Sequence, residues 1–191
     1  MKINKTHIWT LIALVATAAV YRVIPNRPLG FAPQIAIALF GGAIFKEKRW
    51  AFALPLLSMF ISDVLYQVLY NAGYSSMQGF YEGQWENYLL FAGITLLGFT
   101  MKKKTVASVA AYSVTAPTLF YLVSNFMVWL GGGIDITTNL PLSKSFAGLM
   151  QSYVQALPFY YGGLLSTILF SAVLFGGYYF FTRHQTITAN A

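Results

Sequence analysis

The chain has 191 residues, of which 57% are hydrophobic and only 9% are charged, whereas an ordinary soluble domain carries about 25% charged residues. So few charges cannot cover a soluble globule of this size, which indicates an integral membrane protein and argues against a soluble enzyme or a nucleic-acid partner, despite the net charge of +7. The chain has no cysteine, and its two histidines, His7 and His184, are too far apart to suggest a metal site, so we expect neither a metal nor another cofactor.

Six apolar runs follow one another along the chain, separated by short segments that hold most of the charges. Each run is close to the ~20 residues that a helix needs to cross a ~30 Å hydrocarbon core, and none shows the period of two that is typical of a barrel strand. The runs cover residues 7–24, 29–45, 50–70, 86–101, 105–130 and 158–181. We therefore predict an all-α integral membrane protein, one domain over residues 1–191, with six transmembrane helices.

Basic residues are divided unequally between the two sides of such a protein. With six spans, nine Lys and Arg residues fall on the side of the two termini, and three, Arg22, Arg27 and Lys144, fall on the other. The positive-inside rule then places both termini in the cytoplasm. The four tryptophans lie near span ends, where an interfacial aromatic belt is expected.

The first run also admits a second interpretation. Lys2 and Lys5 precede an apolar stretch that ends in Ala16-Thr17-Ala18, and this pattern is typical of a secretory signal peptide with its cleavage site. Removal of the segment would leave five spans and would place the later basic loops on the wrong sides, so we favour a retained first helix.

Asp63 is an ionisable residue deep inside an apolar run. A carboxylate there costs about 2.5–3.5 kcal/mol on insertion scales, so it should face the protein interior or a watered cavity and marks a functional site by default. Tyr66 and Tyr70 follow at i+3 and i+7 and are expected on the same helix face. The alternative is a structural aspartate that joins two helices through Asn125 or a tyrosine hydroxyl.

Aromatic and amide side chains gather in the outer half of the predicted bundle. Asn125 and Trp129 form an i, i+4 pair at the outer end of the fifth run, and most tyrosines fall on the same side, although an interfacial belt would also explain many of them. Two long outer loops, about 71–85 and 131–157, are candidate lids. Within the second, residues 142–157 have helical periodicity and are expected to lie in the interface or to re-enter the membrane.

These features together predict an outward-facing aromatic pocket for a small molecule. The predicted ligand-binding residues are Asp63, Tyr66, Tyr70, Tyr121, Asn125, Trp129, Gln151 and Gln155. We predict no catalytic residues and no enzyme, because the phosphate-binding, zinc-protease and serine-hydrolase motifs are absent and Asp63 has no second carboxylate or histidine within the spans.

Short segments throughout the chain resemble a family of small bacterial membrane proteins that is grouped with the substrate-binding S components of ECF-type vitamin transporters. The segments are Arg22-Val23-Ile24-Pro25-Asn26, Phe31-Ala32-Pro33, Ala36-Ile37-Ala38-Leu39-Phe40-Gly41-Gly42-Ala43, Pro55-Leu56, Ser62-Asp63 and Ser124-Asn125-Phe126-Met127-Val128-Trp129. The resemblance implies an S-component-like bundle in the bacterial cytoplasmic (inner) membrane, a vitamin-like ligand, and a separate ECF energising module or another membrane protein as partner. The alternative function is a non-transporting integral membrane subunit of a larger envelope complex.

Overall fold

The computed structural model of the chain describes residues 5–189, with the side chains of residues 13–180 and of Thr182. The described residues form six helices and no named strand, which confirms the all-α class. The helices are α1 (Lys5–Val23), α2 (Gln34–Ile44), α3 (Lys48–Asn71), α4 (Gln84–Phe99), α5 (Val106–Leu130) and α6 (Phe146–Ala189). The described part does not include the side chains of Lys2, Lys5, His7, Trp9, Arg183 and His184.

Three of the helices are long and apolar enough to cross a membrane: α3, α5 and the Phe146–Phe180 part of α6. The segments Ala13–Val23 and Gln34–Ile44 are shorter apolar helices. Large apolar side chains on the outside of the bundle, such as Leu165 and Val173, are more than half exposed. A surface of this kind suits lipid better than water, so the structure supports a membrane protein.

The helix boundaries differ from the apolar runs in two places. The second helix begins at Gln34 rather than near residue 29, because residues 28–31 form a turn in which Gly30 has a φ of +70° and Pro33 occupies the N-cap. The stretch 142–157, expected to lie apart from the sixth run, is joined to it, since α6 begins at Phe146 and continues through Pro158.

Helix α2 is the central element and packs against α3, α4, α5 and α6. It approaches α4 so closely that a Cβ atom on Gly42 would lie 2.1 Å from the carbonyl oxygen of Thr95, and one on Gly98 would lie 2.6 Å from that of Leu39. Small residues therefore permit contact between the two helix backbones. Around this contact, Leu39, Phe91 and Ile94 belong to the main buried cluster.

One end of the bundle carries three connecting loops, residues 24–33, 72–83 and 131–145, and is called the loop end below. The C-terminal part of α1 contacts α3 here through Arg22 and Asp63. The first loop lies directly on α6, because a Cβ atom on Gly30 would be 2.1 Å from the carbonyl oxygen of Phe159.

Candidate functional site

Asp63 is completely buried in α3, where its carboxylate forms an ion pair with the guanidinium of Arg22 from α1. Two donors from α4 complete its surroundings. Gln84 Nε2 donates to Asp63 Oδ2 at 2.7 Å, and the hydroxyl of Tyr88 donates to the same oxygen at 2.6 Å. The carboxylate thus joins three helices through an arginine, an amide and a tyrosine hydroxyl, and Asn125 is not among its partners.

Tyr66 and the neighbouring loops enclose this ion pair. The Tyr66 hydroxyl donates to the carbonyl oxygen of Arg22 at 2.6 Å, and the Arg22 guanidinium lies 5.5 Å from the centre of the Tyr66 ring. Arg27 Nε donates to the same carbonyl at 2.8 Å. On the other side, the backbone of Gly79 presses on the carbonyl of Asp63, since a Cβ atom there would lie only 1.7 Å from that oxygen. Asp63 is therefore held among protein groups, and it lines neither of the two cavities described below.

A separate cavity of about 420 Å³ lies between α5, α6, the start of α2 and the first turn of α4. Most of its wall is apolar or aromatic, and Phe120, Tyr121, Phe159 and Tyr160 supply the rings. Five polar side chains other than tyrosine also line it: Asn87, Ser124, Asn125, Ser152 and Gln155. None of the described residues that line this cavity carries a formal charge.

The loop of residues 131–145, called the cover loop below, closes one side of the cavity with Ile134, Ile136 and Leu142. It is folded on itself like a short hairpin. The amide of Asp135 donates to the carbonyl of Leu140 at 2.8 Å, and the amide of Leu142 donates to that of Gly133 at 2.8 Å. The apolar side chains are thus held in a defined position over the cavity.

Asp135 fastens the cover loop to α6. Its Oδ1 accepts hydrogen bonds from the Thr137 hydroxyl at 2.6 Å, from Gln155 Nε2 at 2.6 Å and from the Thr137 amide at 2.8 Å. The Gln151 side chain is hydrogen-bonded to the same carboxylate. The bonds from Thr137, and then those from the two glutamines, hold the pKa of Asp135 below its ordinary value because they stabilise the charged form.

The other end of the cover loop is fastened to the C-terminus of α5. Lys144 Nζ donates to the carbonyl oxygens of Trp129 at 2.5 Å and Leu130 at 2.7 Å. These are among the carbonyls that a helix end leaves without a partner inside the helix, and a cation is favourable there. In return, Trp129 Nε1 donates to the carbonyl of Ser143 at 2.9 Å.

The eight predicted ligand-binding residues do not form one pocket. Tyr121, Asn125 and Gln155 line the cavity. Gln151 and Trp129 hold the cover loop, Asp63 and Tyr66 belong to the buried ion-pair cluster, and Tyr70 is 38% exposed near the end of α3. Arg22 and the α4 side chains occupy the space around Asp63, so the structure divides the predicted residues between the ion-pair cluster, the cavity and the cover loop.

A chain of side-chain amides nevertheless links the two groups. Asn87 lines the cavity, and its Nδ2 donates at 2.9 Å to Oε1 of Gln84, which is itself bound to Asp63. Sequence reasoning missed Arg22, Gln84 and Asn87. A signal for Arg22 was available, since the predicted topology places this arginine and Asp63 in the same outer half, where an opposite charge is the natural partner of a buried carboxylate.

A second cavity, of about 380 Å³, lies between α1 and α6. Its wall includes Ala13, Leu14 and Leu174, and it offers few groups that could orient a polar solute. Among the residues that the structure describes, there is no group of three or more His, Asp or Glu side chains that could hold a metal ion. The cavity beside α5 is therefore the better candidate for a ligand site.

Comparison with known proteins finds one family match. No curated protein and no solved structure matches the chain. Residues 2–189 match DUF6580, which is described as a family of unknown function. Because the match extends over nearly the entire sequence, the chain belongs to the DUF6580 family.

Proposed function

We propose that the protein is a membrane-embedded solute-binding subunit that resembles an ECF transporter S component and takes a vitamin-like small molecule. The observation that carries this proposal is the cavity between α5 and α6. Its volume of about 420 Å³ lies within the ~300–1,000 Å³ typical of small-molecule sites. A mostly apolar wall with a few fixed polar groups is the usual composition of such sites.

The aromatic wall suits a flat ring. The rings of Tyr121 and Tyr160 have centroids 4.7 Å apart, and the Tyr121 hydroxyl donates to the carbonyl of Tyr153 at 2.8 Å. The ring planes are therefore fixed by both packing and hydrogen bonding before a ligand enters. Preorganised aromatic faces add affinity without an ordering cost at the moment of binding.

In this proposal the loop end faces the outside of a bacterial cytoplasmic membrane, and both termini lie in the cytoplasm. The charge distribution supports this orientation, because Arg22, Arg27 and Lys144 belong to the loop end whereas the basic cluster of residues 102–104 belongs to the opposite end. Six spans require the flanking segments of α2 to contribute, since its 11 residues extend for only about 17 Å at 1.5 Å per residue.

Uptake through this protein would require a source of energy from a partner. The sequence contains no phosphate-binding loop motif, and the resemblance to S components implies a separate membrane protein with two ATPases. The protein's own part in this account is to bind the solute under the cover loop and not to transform it chemically.

Native mass spectrometry of the detergent-purified protein tests the proposal through cavity filling. Ala156 lines the cavity, whereas Ala172 is exposed on the outside of α6. We expect the wild-type protein and Ala172→Phe to retain a small molecule, and Ala156→Phe to lose it because the new ring occupies the cavity. If none of the three retains a small molecule after incubation with a cell extract, the proposal fails and a non-transporting membrane subunit becomes the better explanation.

A further inference from the structure

We infer that the cavity selects an uncharged ligand that donates hydrogen bonds, such as an aromatic amide or an N–H heterocycle, and rejects carboxylates and phosphates. The inference rests on the proposed function and defines its ligand class. It follows from which hydrogen atoms of the cavity wall are already engaged within the protein. A wall whose donors are occupied offers acceptors to a ligand.

The orientation of Asn87 is fixed by Asp63. An ionised carboxylate can only accept, so Gln84 must turn its Nε2 toward Asp63 Oδ2, and the 2.7 Å contact joins these atoms. The Oε1 of Gln84 therefore faces Asn87, whose Nδ2 must donate to it at 2.9 Å. The same Nδ2 donates to the Tyr81 hydroxyl at 2.9 Å. Both amide hydrogens are used, and the polar atom that Asn87 can still offer is the acceptor Oδ1.

The amide hydrogens of Asn125 are also engaged within the protein. Its Nδ2 donates at 2.8 Å to the backbone carbonyl of Tyr121, which can only accept, so the nitrogen must point along the helix. Asn125 Nδ2 also donates its second hydrogen to the Ser124 hydroxyl oxygen, which lies 3.5 Å from the nitrogen. Asn125 Oδ1 is then the polar side-chain atom left for a ligand.

The hydroxyl groups of the wall also use their hydrogens within the protein. Three of them donate to backbone carbonyls: Ser124 to Tyr121 at 3.3 Å, Tyr121 to Tyr153 at 2.8 Å, and Ser152 to Asn125 at 2.9 Å. Thr118 donates to the Val114 carbonyl at 2.7 Å, so the 2.9 Å contact between Thr118 and Tyr160 must use the Tyr160 hydrogen. Gln155 is the exception, because one hydrogen of its Nε2 is engaged by Asp135 and the other remains, while its Oε1 accepts from the Ile136 amide at 3.4 Å. The cavity wall therefore offers a ligand mainly hydrogen-bond acceptors.

The basic side chains near the cavity do not supply it with positive charge or free hydrogen-bond donors. Arg22 is paired with Asp63 and Ser62, and Lys144 is bound to the carbonyls at the end of α5. Arg27 donates to the carbonyls of Arg22 and Phe31. None of these three side chains lines the cavity. An anionic ligand would lose its hydration and meet carbonyl oxygens, which is unfavourable.

Matched amide and carboxylate probes test the inference. Nicotinamide and indole-3-acetamide are compared with nicotinate and indole-3-acetate, on the full-length detergent-purified protein, by native mass spectrometry and thermal stabilisation. We expect each amide to bind at least about tenfold more tightly than its carboxylate. We also expect Asn125→Leu to weaken amide binding several-fold, whereas Asn71→Leu, at the exposed end of α3, leaves it unchanged.

Asn125→Leu should fold, because the side chain that it replaces bonds only within its own helix. A melting curve of the unliganded variant verifies this, and Asn125→Ala provides a second variant. Equal or tighter binding of the carboxylates would overturn the inference and leave the proposed function in place. If neither probe class binds and no extract component is retained, both the proposed function and the inference fail.

Discussion

The buried ion pair between Arg22 and Asp63 makes a quantitative prediction about stability. The two side chains are 16% and 1% exposed. Removing one partner of a buried pair strands the other charge and typically costs about 3–5 kcal/mol. We expect Asp63→Ala to lie at the upper end of this range, because it removes the partner of Arg22 and also leaves Gln84 Nε2 and the Tyr88 hydroxyl without their acceptor.

Arg22→Met should cost less than Asp63→Ala, because the carboxylate keeps its two donors from α4. The double variant should be less destabilised than the sum of the single variants, by about 2–3 kcal/mol, since it strands no charge. The free energy of unfolding is measured by denaturant titration in mixed micelles, followed by far-ultraviolet circular dichroism.

The exposed pair of Glu47 and Arg49 is the matched control. Glu47 Oε2 and Arg49 Nη2 are 2.7 Å apart, but the two side chains are 38% and 77% exposed, respectively. Exposed pairs contribute about 0–1 kcal/mol, so the same double-variant cycle should give a small coupling energy here. Additive effects of the Arg22 and Asp63 changes would contradict this prediction. A cost of each change no larger than that of its counterpart in the control pair would also contradict it.

Three further predictions concern packing, pH and topology. Gly42→Ala should destabilise the protein by about 1–3 kcal/mol through overpacking against Thr95, whereas Gly93→Ala, where a Cβ atom meets nothing within 4 Å, should be neutral or stabilising in thermal melts. Because the pKa of Asp135 is lowered, its carboxylate fully stabilises the cover loop at a pH above the ordinary value of 3.8. This stabilisation is lost as the pH falls through the lowered pKa. Above pH 3.8, pepsin should therefore cleave within residues 131–145 faster in Asp135→Ala than in the wild-type protein. Equal cleavage rates of the two proteins in that pH range would contradict this prediction. A reporter fused after Ala191 or within residues 102–104 should report the cytoplasm and one inserted near Gly79 the outside, and an external C-terminus would exclude the proposed orientation.

The helices could be predicted from the sequence where a long apolar run alone determines the structure. The run 105–130 corresponds to Val106–Leu130, and the run 50–70 corresponds to Lys48–Asn71. The run 29–45 was predicted too long, because hydropathy does not detect the turn that Gly30 makes with a φ of +70°. Burial of Asp63 was likewise predictable, since the cost of exposing a carboxylate to lipid does not depend on the fold.

The composition of the cavity was only partly predictable. Tyr121 and Asn125 lie one helical turn apart, so their shared location follows from helix periodicity. Asn87 belongs to the wall because of how α4 packs beside α5, and no local pattern specifies that packing. The pairing of Arg22 with Asp63 has the same origin, since it joins residues 41 positions apart on two helices.

The most direct test of an outward-facing solute cavity uses the absence of native cysteine, which makes single-cysteine labelling unambiguous. Ser124→Cys places a thiol in the cavity wall, and Thr100→Cys places one at the exposed opposite end of the bundle. Intact cells are treated with a membrane-impermeant maleimide, with and without the small molecule that is identified by mass spectrometry. The account predicts that Ser124→Cys is labelled from outside and protected by that molecule, whereas Thr100→Cys is labelled only after permeabilisation. The account is contradicted if Thr100→Cys but not Ser124→Cys is labelled in intact cells. It is also contradicted if Ser124→Cys is labelled and no retained molecule slows the reaction.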